Sequence, residues 1–128
     1  MNDSTYTFKD IKAWQYAHAF VLLVYRVCRN LPDYEKFGLC SQFERAAVSI
    51  AANIAEGYKK LSKADKLRFI NISQGSLEEC RYYILLTKDL DYIDDEVYQE
   101  LNAELEKASW YLNAYAKGII NNNGIPKE

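Results

Sequence analysis

Histidine is nearly absent from this 128-residue chain, with His18 the only one. That excludes histidine-rich metal sites and leaves any Ser-His or Cys-His catalytic device a single candidate base. Glycine and proline are also scarce, at 5 and 2 residues. A many-stranded sandwich or barrel needs a turn every 8–12 residues or so, and these breakers are too few for one. The three cysteines, Cys28, Cys40 and Cys80, are odd in number and lack metal or redox spacing. They read as reduced thiols serving as small core hydrophobes. The longest unbroken apolar run, Ala19 to Tyr25, is far shorter than the roughly 20 residues that span a bilayer. Residues 1–8 carry neither a basic nor an apolar stretch of the kind a secretory leader needs, so a cytoplasmic protein with no membrane partner is expected.

What is present is a helical pattern. Hydrophobic residues make up 49% of the chain and charged residues 27%, the balance of a globular domain. Four amphipathic segments follow one another, at about 10–30, 39–56, 63–90 and 95–120. The first has the seam Ile11, Trp14, His18, Val21, Tyr25 and Cys28, at steps of three and four, and stops at Leu31-Pro32-Asp33. The second has the seam Leu39, Phe43, Ala46, Ile50 and Ile54, with Ser41-x-x-Glu44 as a possible capping box and Gly57 as a terminator. The third starts at Ser62-x-x-Asp65 and carries Leu67, Ile70, Leu77, Cys80 and Ile84. The fourth opens at Asp94-Asp95-Glu96, where the helix dipole favours acids, and continues through Val97, Leu101, Leu105, Ala108, Leu112, Tyr115 and Ile119. It then frays into an asparagine run and a polar tail. Short connections favour antiparallel neighbours, so the expected fold is a single all-α domain, an up-down-up-down four-helix bundle over residues 1–128.

The stretch Phe20-Val-Leu-Leu-Val-Tyr25 is apolar around the whole helix circumference. Bundle mates cover only about half of such a helix, so the remainder calls for a second subunit. Eleven tyrosines and two tryptophans favour the same homo-oligomer, since these side chains are enriched at interfaces.

Charge is unevenly spread. The net formal charge is -2, yet residues 1–88 carry a net +4 and residues 89–128 a net -6. Lys59, Lys60, Lys63, Lys66 and Arg68 crowd the loop and start of the third helix, with Asp65 the only acid among them. Such a cluster can hold the phosphates of RNA or DNA, and Arg45 is a further candidate contact. By spacing alone, a solvated loop is the simpler reading; a ring of subunits would multiply the cluster into a large patch. The acidic run Asp89, Asp91, Asp94, Asp95 and Glu96 lacks the glycine and closing glutamate of a calcium loop and reads as helix capping. There is no Glu-x-x-His pair for a di-iron bundle, and His18 reads as a core residue. Asn53 and Glu56, one turn apart in an alanine-rich helix, suggest a buried register-fixing pair, with a ligand contact as the alternative. No acid, base and nucleophile converge, so neither an enzyme nor a cofactor or metal is expected.

Three blocks carry a family likeness. They are Phe8-Lys-Asp-Ile-Lys-Ala-Trp14-Gln-x-Ala17-His18, Gly38-Leu39-x-Ser41-Gln42-x-x-Arg45-Ala-Ala-Val-Ser-Ile50-x-x-Asn53-Ile-Ala-Glu-Gly57, and Phe69-x-Asn-Ile72-x-x-Gly75-Ser-Leu-x-Glu79. Over roughly residues 8 to 120 the chain resembles the four-helix-bundle family encoded by 23S rRNA intervening sequences. Where that pattern often has proline after Ile50, this chain has Ala51, which removes a kink. The resemblance implies a ring-shaped homopentamer and no established catalytic activity. It also implies a more distant similarity to the accessory proteins of diversity-generating retroelements, which bind reverse transcriptase and nucleic acid. The net charge of -2 departs from the basic balance of that accessory lineage. The function expected is therefore a non-enzymatic oligomer that binds structured RNA or DNA, with or without a protein partner. The alternative is a scaffold that binds only protein.

Overall fold

A computed structural model describes residues 7–122. Four helices run in order, α1 (Lys12–Cys28), α2 (Leu39–Tyr58), α3 (Lys63–Asp89) and α4 (Asp95–Asn121). Short 3₁₀ turns at Phe8–Asp10 and Asp33–Glu35 precede α1 and α2. The readings placed on residues 1–6 and on the tail beyond Asn122 lie outside the described residues.

Contacts between neighbours set the antiparallel register. Phe20 meets Phe43 and the Cys40 thiol reaches the Cys28 carbonyl, joining α1 to α2. The pairs Phe43 with Tyr83, Ser49 with Ser76 and Ile50 with Ser73 descend α2 as they climb backwards along α3. Gln74 with Asn113, Arg81 with Glu106 and Lys88 with Asp95 do the same for α3 and α4. Tyr16 stacks on Tyr111, closing α1 onto α4. Each helix thus packs on two neighbours around one core, the expected four-helix bundle. Phe20, Phe43, Ile50, Ile54, Ile70, Ile84, Leu101, Leu105, Leu112 and Ile119 are fully buried in that core.

Helix boundaries differ from expectation for identifiable reasons. The first helix starts at Lys12 because Thr7 caps a separate 3₁₀ turn in a capping box with Asp10, after which Ile11 is extended. Gly57 does not stop α2. It sits inside the last turn, where a Cβ would lie 2.9 Å from the Cβ of Phe69, so glycine there permits close approach of α3. Ser41 is not a cap either: Gly38 occupies the N-cap position, and the Glu35 carboxylate accepts from the Leu39 amide at 3.1 Å. Ser62 does cap α3, accepting from Asp65 N at 3.1 Å, and Asp94 caps α4, accepting from Val97 N at 2.9 Å. Asp91 ends α3 in the left-handed region at φ 61°. Its amide donates to the Lys88 carbonyl and that of Tyr92 to the Thr87 carbonyl, the paired bonds of a Schellman turn.

Polar groups fix register inside the bundle, although not those expected. Ser73 is fully buried and donates to the Ile50 carbonyl at 2.9 Å, while the Ser49 and Ser76 hydroxyls meet at 2.7 Å. Asn53 bonds only within its own helix, to Ser49, and Glu56 faces solvent. His18 is not a core residue. It is exposed and stacked on Trp14 with ring centroids 4.8 Å apart.

Candidate nucleic-acid interface

The up-down topology brings the start of α1, the end of α2, the start of α3 and the end of α4 to one end of the bundle. Seven outward cations collect there: Lys9, Lys12, Lys59, Lys60, Lys63, Arg68 and Lys117. Their acidic company is Asp10, Glu56 and Asp65. Among the described residues the opposite end carries Asp33, Glu35, Glu44, Asp89, Asp91, Asp94, Asp95, Glu96 and Glu100 against Arg26, Arg29, Lys36 and Lys88. The charge asymmetry along the sequence becomes an axial asymmetry of the fold, with a cationic end and an acidic end.

The six predicted contact residues do not all join the cationic end. Lys59 is exposed, and Lys60 and Lys63 are half-buried; none of the three has an ion-pair partner among the described residues. The Lys60 ammonium lies 4.9 Å from the centre of the Phe69 ring, and the Arg68 guanidinium lies 5.3 Å from it. Arg68 also pairs with Asp65 at 3.0 Å, which already spends part of its charge locally.

One of the six is corrected, and one stands apart from the others. Lys66 is only 7% exposed, and its Nζ donates to the Tyr58 carbonyl at 2.7 Å. Burial lowers its pKa below the ordinary ammonium value. It fastens the open end of α2 to α3 and is turned away from any external phosphate. Arg45 is exposed but stands 13 residues before Tyr58, the end of α2, about 20 Å from it along the axis. It lies on the side of the bundle, apart from the lysine cluster.

Sequence spacing missed Lys9, Lys12 and Lys117, which join the cluster only through topology. The legible signal was an antiparallel bundle with cations at alternate helix ends, but it needed the register to be seen. The cysteines offer no chemistry here. Cys28, Cys40 and Cys80 are buried and unbonded to one another, and burial pushes all three thiols above their ordinary range. Among the described residues no group of His, Cys, Asp or Glu is arranged to hold a metal ion, and no helix is long and apolar enough to cross a membrane.

A second surface lies on the side of the bundle. Val21, Leu22, Tyr25, Arg26, Arg29 and Val48 line an open groove of about 520 Å³ between α1 and α2. Leu22 is 47% exposed, Val48 40% and Tyr25 39%, so the apolar circumference of the first helix does leave an uncovered face in one chain.

Comparison with known proteins bears on this geometry. The family described as 23S rRNA-intervening sequence protein matches residues 9–114. No curated protein matches. Among solved structures, the crystal structure at 1.70 Å resolution of a protein with unknown function from the S23 ribosomal protein family of Bacteroides thetaiotaomicron is similar, with a TM-score of 0.76 and 25% identity. That alignment covers 82% of this chain and 95% of the other, so the shared fold is nearly the whole of both. With the match taking in all of α1, α2 and α3 and most of α4, the chain belongs to the 23S rRNA-intervening sequence protein family.

Proposed function

We propose that this protein is a non-enzymatic, oligomeric helical bundle that binds structured RNA or DNA through its cationic end. The observation that carries this reading is the convergence of Lys59, Lys60 and Lys63 with Lys9, Lys12 and Lys117 at one end, set against an acidic opposite end. Phosphate contacts dominate nucleic-acid affinity and position a ligand without reading its sequence. A polarised bundle also orients itself, because its acidic end is repelled by the same phosphates.

The groove between α1 and α2 supports self-association. Leu22, Tyr25 and Val48 form an apolar strip beside Arg26 and Arg29, which suits a contact with a second copy. In the ring-shaped homopentamer that the family resemblance implies, a symmetry axis along the helices sets every cationic end on the same rim. Five modest clusters then act as one broad patch, which reconciles a net charge of -2 with phosphate binding.

The test is charge reversal. Lys59→Glu, Lys60→Glu and Lys63→Glu together should weaken binding of unrelated structured RNAs and DNA duplexes by a similar factor. Arg45→Glu should leave it nearly unchanged. Equal affinity for wild type and the triple variant would remove the assignment. The exposed groove also favours a second reading, a scaffold that binds only protein. Association with a protein partner that survives nuclease and high salt, with no affinity for nucleic acid, selects that reading instead.

A further inference from the structure

Leu61 is 97% exposed, more than any other large hydrophobic side chain among the described residues. It stands in the four-residue connection between α2 and α3, with Lys59 and Lys60 before it and Lys63 after it. A leucine in a slack loop could fold back onto the bundle. This loop is tied on both sides. Lys59 N donates to the Glu56 carbonyl and Lys60 N to that of Gly57, at 3.3 and 3.1 Å. Ser62 caps α3, and Lys66 Nζ holds the Tyr58 carbonyl. Gly57 packs closely on Phe69, and the Lys60 ammonium lies over the Phe69 ring. The leucine is therefore presented outward from a fixed base at the centre of the lysine cluster.

We infer that Leu61 is a wedge that inserts at a break in the base stack of a bound nucleic acid, while the flanking lysines hold phosphates on either side. This inference rests on the nucleic-acid reading above. Apolar wedges of this kind work by covering base faces that would otherwise meet water, and leucine is among the side chains that serve. Opening an intact stack costs free energy that an existing discontinuity does not. The ligand class is accordingly a helical RNA or DNA interrupted by a bulge, a loop or a helix end, in preference to an uninterrupted duplex. An anionic bilayer is the poorer fit to the same lysines and leucine, because one leucine is far less than stable membrane anchoring takes.

The experiment uses the full chain and two RNA duplexes that differ by a single-nucleotide bulge, with 2-aminopurine beside the bulge. Wild type should bind the bulged duplex about tenfold more tightly, about 1.4 kcal/mol, and raise the 2-aminopurine fluorescence. Leu61→Ser should bind both duplexes alike, with the salt dependence of wild type and an unchanged melting temperature, since the side chain packs on nothing. Binding by wild type without discrimination, or discrimination that survives Leu61→Ser, overturns the wedge and leaves the phosphate site standing. Failure of wild type to bind either duplex overturns both. Leu61-dependent sedimentation with phosphatidylserine vesicles, without RNA binding, also overturns the wedge and reassigns the loop to a lipid surface.

Discussion

The Lys66 ammonium donates to the Tyr58 carbonyl at 2.7 Å and so joins the last turn of α2 to the first turns of α3. A lysine that by sequence belongs with four neighbouring cations is thereby a structural fastener beneath them. Lys66→Met keeps most of the aliphatic volume and removes the donor. It should destabilise the fold by about 1–3 kcal/mol, the cost of stripping a charged hydrogen-bond donor from a part-buried acceptor. Chemical denaturation measures that loss. The slope of log affinity against log salt should stay at the wild-type value, because no phosphate contact is lost; a shallower slope would return Lys66 to the binding surface.

Gly57 and Gly75 are both helical, yet alanine should act on them in opposite directions. At Gly57 an added Cβ would sit 2.9 Å from that of Phe69, forcing α2 and α3 apart. Overpacking of this kind costs about 1–3 kcal/mol and exceeds the gain in helix propensity. At Gly75 nothing lies within 4 Å of the new methyl, so Gly75→Ala should stabilise by about 0.5–1 kcal/mol. Thermal melting of the two variants decides the point, and a stabilising Gly57→Ala would show that the close approach is not required.

The bundle should loosen in alkali. Burial raises Tyr115 from 10 to about 12, with the Tyr58 phenol adding to the effect, and the Tyr115 hydroxyl finds no hydrogen-bond partner among the described residues. The folded state therefore keeps this proton above pH 10 while the unfolded chain releases it. Stability is full below pH 10 and falls as pH rises towards 12. Tyr115→Phe removes both the titration and the unpartnered hydroxyl. It should be about 1 kcal/mol more stable at neutral pH and keep more of its stability at pH 11. Urea titrations at pH 7 and pH 11 give the comparison; a variant that loses stability at pH 7 would mean the hydroxyl is paired after all.

Leu22 and Val48 flank the side groove, and a carboxylate in place of both should prevent self-association while leaving the core intact. Sedimentation velocity should show the wild type as an oligomer and Leu22→Asp/Val48→Asp as a monomer of about 15 kDa with unchanged helicity. An unaltered sedimentation coefficient would place the self-contact elsewhere.

Much of this fold was legible because its signals are local. The seam Leu101, Leu105, Ala108, Leu112 and Ile119 is buried as its spacing required, and the caps at Ser62 and Asp94 stand where a side-chain acceptor precedes a helix. The misreadings involve residues whose role depends on another helix. Gly57 resembles a terminator until Phe69 is placed against it. Ser73 and Ser76 carry no local signal of burial, which comes only from the Ile50 carbonyl and Ser49 opposite them. Within the candidate site, Lys59, Lys60 and Lys63 were evident as a run. Lys9, Lys12 and Lys117 needed the topology to join them, and Lys66 was lost to the Tyr58 carbonyl. His18 shares the helical phase of Trp14 but stacks over it on the outside, a difference that periodicity does not distinguish.

The central claim is that the cationic end binds nucleic acid electrostatically. Fluorescence anisotropy of the purified protein with a structured RNA and a DNA duplex, from low to physiological salt, tests it most directly. Log affinity should fall linearly with log salt, by about 0.9 per phosphate neutralised on duplex DNA, with a smaller slope for the Lys59, Lys60 and Lys63 charge-reversal variant. An absence of binding even at low salt would contradict it.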